Sequence, residues 1–352
     1  MIPRALSLHL GLLVISAAVA SRAWLAEDES NEDPTVEIWG GNSDQVEKVE
    51  YSTADTKVVL EAKKDDVGRF FTALVERAKP KSPASPHSPQ SEDSETDESD
   101  ETEDSNKADA PDKADEEQPE VETLRFVAAA EANDLAEALA PLSAVRTLGK
   151  LDPARDEEFG FGDAGGKLVT TIAGTPHELL LGGRAPGGGH AYVRTPDGET
   201  FVIVGHVMRD LESAASRLMQ RELHEWDDDE AHSVSITLDA GKRQLVRGDG
   251  GSWTSPGSSE KDESATNWMK KLRRLRISKY LEDGSSLQPL LKVEFASESG
   301  QPLGFTELAS RPGSEEGETE FFARSELSRW WGSVVRSTAE QLAQDSAAIV
   351  AQ

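Results

Sequence analysis

The chain has 352 residues, enough for two domains of ordinary size, and its 66 acids against 37 bases give a formal charge of −29. That balance excludes general nucleic-acid binding, because duplex affinity comes mostly from Lys and Arg displacing counterions. The lack of cysteine excludes disulfides, thiolate zinc sites and Cys nucleophiles. A hydrophobic fraction of 36% still suffices for a core, provided part of the chain stays outside it.

At the N-terminus, Ala5 to Ala20 is almost wholly apolar, interrupted only by Ser7, His9 and Ser16. As a helix this run reaches about 24 Å, and its extension to Ala26 about 33 Å, against a hydrocarbon core of ~30 Å. Arg22 in the extension can snorkel and Trp24 suits an interface. Residues 1–26 are thus expected to form a single-pass anchor in the inner membrane, with the bulk of the chain on the periplasmic side. The alternative is a signal peptide, since Ala18-Val19-Ala20 is a small-x-small cleavage pattern, and cut after Ala20 it would release a soluble exported protein.

The first predicted unit, residues 36–79 and 122–224, opens with a strand over Val46–Tyr51 and a hairpin partner over Thr56–Ala62, followed by Phe70-Phe71. Residues 80–121 interrupt it. Between 91 and 122 sixteen acids face two bases, a local charge of −14, so about half the total lies in under a tenth of the chain. This insertion has too little apolar surface to offset its ordering entropy and is expected to be disordered. A strand over Leu124–Ala128 and a helix over Glu131–Leu142 follow, the helix with Leu135, Leu139 and Leu142 at helical spacing. Short strands are expected at Lys167–Ile172, Glu178–Gly182, His190–Thr195 and Thr200–Val204. Pro196-Asp197-Gly198 marks a hairpin turn, and a helix over Val207–Leu223 closes the unit.

The second predicted unit, 225–352, repeats the plan. Ser233–Leu238 and Lys242–Val246 pair across Asp239-Ala240-Gly241, and Trp253 takes the place of the Phe pair. A helix over Glu263–Tyr280 follows, then strands at Leu290–Phe295, Leu303–Leu308 and Glu320–Ser325. A last helix over Glu326–Val350 carries a stripe through Leu327, Trp330, Val334, Leu342 and Ile349. Tyr192-Val193-Arg194-Thr195 and Phe322-Ala323-Arg324-Ser325 sit at matching places. The expected fold is α+β: two related units of antiparallel sheet with helices packed on one face.

The stretch Glu178–Arg194 (ELLLGGRAPGGGHAYVR), continued through Phe201–Val204 to Arg209-Asp210-Leu211, resembles the uncharacterised bacterial family called domain of unknown function 4340. Ala140-Pro141-Leu142-Ser143-Ala144-Val145-Arg146-Thr147-Leu148-Gly149 and the N-terminal anchor fit the same pattern. The resemblance covers roughly residues 5–79 and 122–280. It implies a membrane-anchored envelope protein and no established activity. Members often stand beside ABC transporter components of the gliding-motility kind, which implies a membrane partner by analogy.

No catalytic constellation or cofactor motif emerges. Gly182–Gly189 lacks the Gly-Lys-Ser/Thr ending of a phosphate loop and reads as a strand connection. His177-Glu178 has Leu181 where a zinc protease needs its second His, and no Gly-x-Ser-x-Gly elbow occurs. The one weak metal candidate is the run 224–232, in which His224, His232, Asp227 and Asp229 offer N and O ligands but lie where a charged linker is expected. The helix ending near Tyr280 carries Lys270, Lys271, Arg273, Arg274, Arg276 and Lys279 around Trp268, Leu272 and Leu275. This basic face suits anionic lipid, an acidic partner or the insertion at 91–122. Three functions compete: a non-enzymatic envelope interaction or scaffold module accessory to an ABC transporter, an exported soluble binding protein for a small ligand or cation, and a hydrolase. A pocket holding His190 or His206 near a carboxylate would favour the last.

Overall fold

The computed structural model describes residues 36–78, 121–162, 165–187, 189–282, 284, 286–314 and 317–352. The expected N-terminal anchor and all of the acidic insertion except Val121 lie outside them. Among the described residues no helix is long and apolar enough to cross a membrane.

In chain order the elements begin with β1 (Val36–Trp39), β2 (Val46–Ser52), β3 (Thr56–Lys64), β4 (Arg69–Ala78) and β5 (Val121–Val127). Helix α1 (Glu131–Leu139) and strands β6 (Leu142–Ala144), β7 (Arg146–Lys150), β8 (Gly166–Ile172), β9 (Thr175–Arg184), β10 (His190–Arg194) and β11 (Glu199–Val204) come next. Helices α2 (His206–Glu212) and α3 (Ala214–Arg217) end the first half. The second half holds β12 (Ser233–Leu238), β13 (Gly241–Arg247), β14 (Trp253–Thr254), α4 (Glu263–Arg273), β15 (Lys279–Tyr280), β16 (Gln288–Ala296), β17 (Pro302–Pro312), β18 (Thr319–Ser325), β19 (Gly332–Ser333) and α5 (Arg336–Val350).

Among the described residues, three antiparallel sheets and these five helices make an α+β fold. The nine-stranded sheet runs β5-β4-β3-β2-β8-β9-β10-β11-β7 and the eight-stranded one β14-β13-β12-β16-β17-β18-β19-β15, with β1 and β6 forming a separate pair. Matched in chain order, β4-β3-β2-β8-β9-β10-β11-β7 and the whole second sheet share one order. In each, a three-strand meander precedes a helix, one strand crosses to the far edge, and a second meander runs back out to meet it. β10 and β18, which hold the Tyr192 and Phe322 segments, occupy the same place.

Strand alternation puts Val49, Tyr51, Val58, Leu60, Leu168, Leu179 and Val193 into the core of the first half, and Val234, Ile236, Leu245, Val293 and Leu308 into that of the second. In the second half α5 packs on β12, β13, β16 and β18, and α4 packs on α5, with Trp268 Nε1 donating to the Leu342 carbonyl at 3.0 Å. At the start of α4 the Asp262 carboxylate accepts from the Ala265 N–H at 2.8 Å.

Four predicted helices are shorter than expected. α1 stops at Leu139 because Pro141 follows, and Leu142 pairs with Trp39 instead. The helix expected over Val207–Leu223 breaks at Ser213 (φ −115°, ψ 29°) and gives way after Arg217 to an extended segment. α4 ends at Arg273, beyond which the Ile277 and Ser278 N–H groups bond the carbonyls of Arg221 and Ser333. α5 begins at Arg336, ten residues late, since Gly332-Ser333 forms a short strand between β18 and β15. A Cβ at Gly332 would lie 2.4 Å from Ile277, so only glycine permits that approach.

The extended segment 218–222 stitches the halves together. The Gln220 N–H bonds Val127 O at 2.9 Å, the Ala129 N–H bonds Leu218 O at 2.8 Å, and Arg221 O accepts from Ile277. The Tyr280 hydroxyl donates to Gln220 O at 2.8 Å. Across the same seam, Arg329 from the second half donates to Asp65 in the β3–β4 turn at 2.7 Å and stacks over Phe70 at 4.0 Å.

Candidate functional site: the groove between the halves

Where the halves meet, an open groove of about 760 Å³ remains. Its walls come from the start of β4, the segment after β5, the bridging residues 216–222, and Leu327 and Arg329 of the second half. Five arginines line it, Arg69, Arg217, Arg221, Arg276 and Arg329, against three glutamates, Glu131, Glu222 and Glu225. In a chain of charge −29 the lining holds two more bases than acids, while Asp210 and Asp65, outside the lining, pair with Arg217 and Arg329.

Local contacts fix how these guanidiniums stand. Arg69 donates to Val46 O at 2.6 Å and lies over the Phe71 ring, and Arg221 reaches the carbonyls of Ala215, Ile277 and Ser278. Arg217 and Arg276 are exposed, paired with Asp210 at 2.5 Å and Glu222 at 3.1 Å. Arg329 is the structural member: its bond to Asp65 is the largest cause holding that carboxyl below the usual Asp range. Arg217 and Arg276 keep donors for a further acceptor, since each guanidinium carries five.

The basic face expected around α4 is partly consumed. Arg273 pairs with Asp228 at 2.6 Å and stacks over Trp226, Lys271 approaches Asp345 at 3.7 Å, and Arg276 turns into the groove. Lys270, Arg274 and Lys279 are exposed and have no acidic partner among the described residues. Arg276 and Lys279 lie beyond the end of the helix, so the six cations do not share one helical face. Any contact with the insertion at 91–122 falls almost wholly outside the described residues.

The metal candidate is not assembled. His224 points inward, while Asp227 and Asp229 are exposed and the main chain of His232 belongs to sheet pairing with Ala296 and Arg247. Among the described residues no three His, Asp or Glu gather as a metal would need. Both His224 nitrogens are engaged: Nδ1 meets Glu326 Oε1 at 2.7 Å and Nε2 meets Thr306 Oγ1 at 2.8 Å. Glu326 Oε2 also accepts from the Phe305 N–H at 2.7 Å. The order carboxylate, imidazole, hydroxyl is that of a hydrolase triad. Thr306 is wholly buried, however, so no substrate reaches its oxygen, and the network serves to fasten the linker to the second sheet. Burial holds the His224 imidazole below its ordinary range, with Glu326 opposing.

His190 does line a cavity that also holds Glu212, but Glu212 is paired with Arg184 at 2.8 Å and no bond joins it to His190. His206 does not line that cavity.

Residues 126–292 match the family described as Domain of unknown function (DUF4340). The matched stretch excludes residues 5–79, which the sequence resemblance had included, and reaches Lys292 rather than Tyr280. It holds most of the groove's walls. No curated protein and no solved structure matches the chain.

Proposed function

We propose that this protein is a non-enzymatic interaction module of the cell envelope, anchored by residues 1–26 and presenting the groove between its halves to a membrane-protein partner. The observation that carries this reading is the groove itself: five arginines drawn from both halves of an acidic chain converge on one open cleft. Clefts of this kind favour a partner segment bearing carboxylates or phosphate. The shared strand order of the two large sheets supports two related units, each a sheet backed by helices. The partner class, a component of an ABC transporter, rests on analogy with the resembled family.

The alternative, an exported soluble binding protein freed by cleavage after Ala20, is favoured by the separate cavity that holds His190. Alkaline carbonate extraction of native membranes separates the two. Retention in the pellet together with co-purification of a multi-spanning protein is expected. Arg217→Glu with Arg276→Glu should lose the partner without loss of fold, because both side chains are exposed. A protein found in the supernatant and beginning at Ser21 would replace the anchored module with the soluble one.

A further inference from the structure

A second site lies in the first half, apart from the groove. Beneath α2, on the core face of the nine-stranded sheet, is a partly enclosed cavity of about 140 Å³. That is close to the ~150 Å³ cavity known to hold a six-carbon ring, so about six heavy atoms fit. Its chemistry is concentrated in Tyr51 of β2, Arg184 of β9, His190 of β10, and Arg209 and Glu212 of α2.

Tyr51 is 4% exposed, yet its hydroxyl bonds nothing among the described residues and borders this cavity. Burial, then the nearby Glu212 charge, raise the phenol to about 12, so it is a neutral donor at any physiological pH. Glu212 binds Arg184 through Oε2 alone, leaving Oε1 as an acceptor. Arg209 is exposed, and no carboxylate pairs with it among the described residues. The cavity's lining thus offers one carboxylate oxygen without a donor, a cation and a neutral donor. An uncharged ligand would leave these groups unused, and a simple anion would leave Glu212 Oε1 without a donor, Oε2 being held by Arg184.

We infer that this cavity binds a small α-amino acid, its ammonium group on Glu212 and its carboxylate on Arg209 and the Tyr51 hydroxyl. The zwitterion matches the two charges in sign, and the volume admits side chains no larger than those of alanine or serine.

The test is a titration of the full chain with glycine and L-alanine, followed by isothermal calorimetry and by the methyl resonance of Met208, which lines the same cavity. Acetate and methylammonium are the half-ligand controls. Glycine or alanine should bind saturably and shift Met208, with either control at least tenfold weaker. Glu212→Gln should weaken binding about tenfold, equivalent to about 1.4 kcal/mol. Tyr51→Phe, which keeps the buried ring, should weaken it several-fold with an unchanged melting temperature. Acetate binding as well as glycine, or full affinity in Glu212→Gln, would overturn the zwitterion site. So would the absence of any shift in Met208 at saturating amino acid.

Discussion

His224 shows how a residue's role turns on its surroundings. Its sequence neighbours Asp227, Asp228 and Asp229 suggest a ligand cluster, but its real partners are Thr306 of β17 and Glu326 just after β18, far along the chain. The distinguishing signal was absent from the run 224–232. Burial keeps the folded imidazole below its ordinary value of 6.5, so the unfolded chain takes up this proton at a higher pH than the folded one. The contribution is therefore constant above about pH 6.5 and is lost as pH falls from there through the folded value. Glu326→Ala leaves the Phe305 N–H and the His224 ring unsatisfied and should cost about 3 kcal/mol in urea denaturation. In Glu326→Gln the opposing charge is gone, so the loss with falling pH should begin at the same point and extend lower. A stability that does not change between pH 7 and pH 5 in either form would contradict this role.

At the scale of elements, strands were the legible part. Val234-Ser235-Ile236-Thr237-Leu238 alternates as a half-buried strand must, and Pro196-Asp197-Gly198 joins β10 to β11 as its turn chemistry implies. Helix ends were less so, because edge-strand pairing competes for the same residues. Ile277 to Tyr280 and Gly332-Ser333 satisfy their backbone across space, and helical spacing of Leu and Trp does not register that alternative. The insertion leaves and re-enters the sheet at one point, since Ala78 and Val121 are direct register partners. Replacing residues 79–120 with a two-residue Asn-Gly turn should therefore keep the fold. Shortening forty-two residues to two removes over four doublings of loop length at ~0.6 kcal/mol each, a gain of roughly 2–3 kcal/mol. Equilibrium denaturation measures it, and a destabilised variant would mean that 79–120 pack on the folded units.

For the whole molecule, the groove was not legible because Arg69, Arg217, Arg221, Arg276 and Arg329 are scattered along the chain. Only Arg276 stood out beforehand, as part of a basic helix face it does not share. The seam of segment 218–222, reinforced by Arg329 and Asp65, fixes these residues as one surface. That surface is the central claim, and photo-crosslinking in native membranes tests it most directly. A photoreactive residue at Ser216, exposed in the groove wall, is compared with one at Lys242, exposed elsewhere on β13. The proposed role predicts an adduct with a multi-spanning membrane protein from position 216 and none from 242. Equal labelling from both positions, or no membrane-protein adduct from 216, would contradict it.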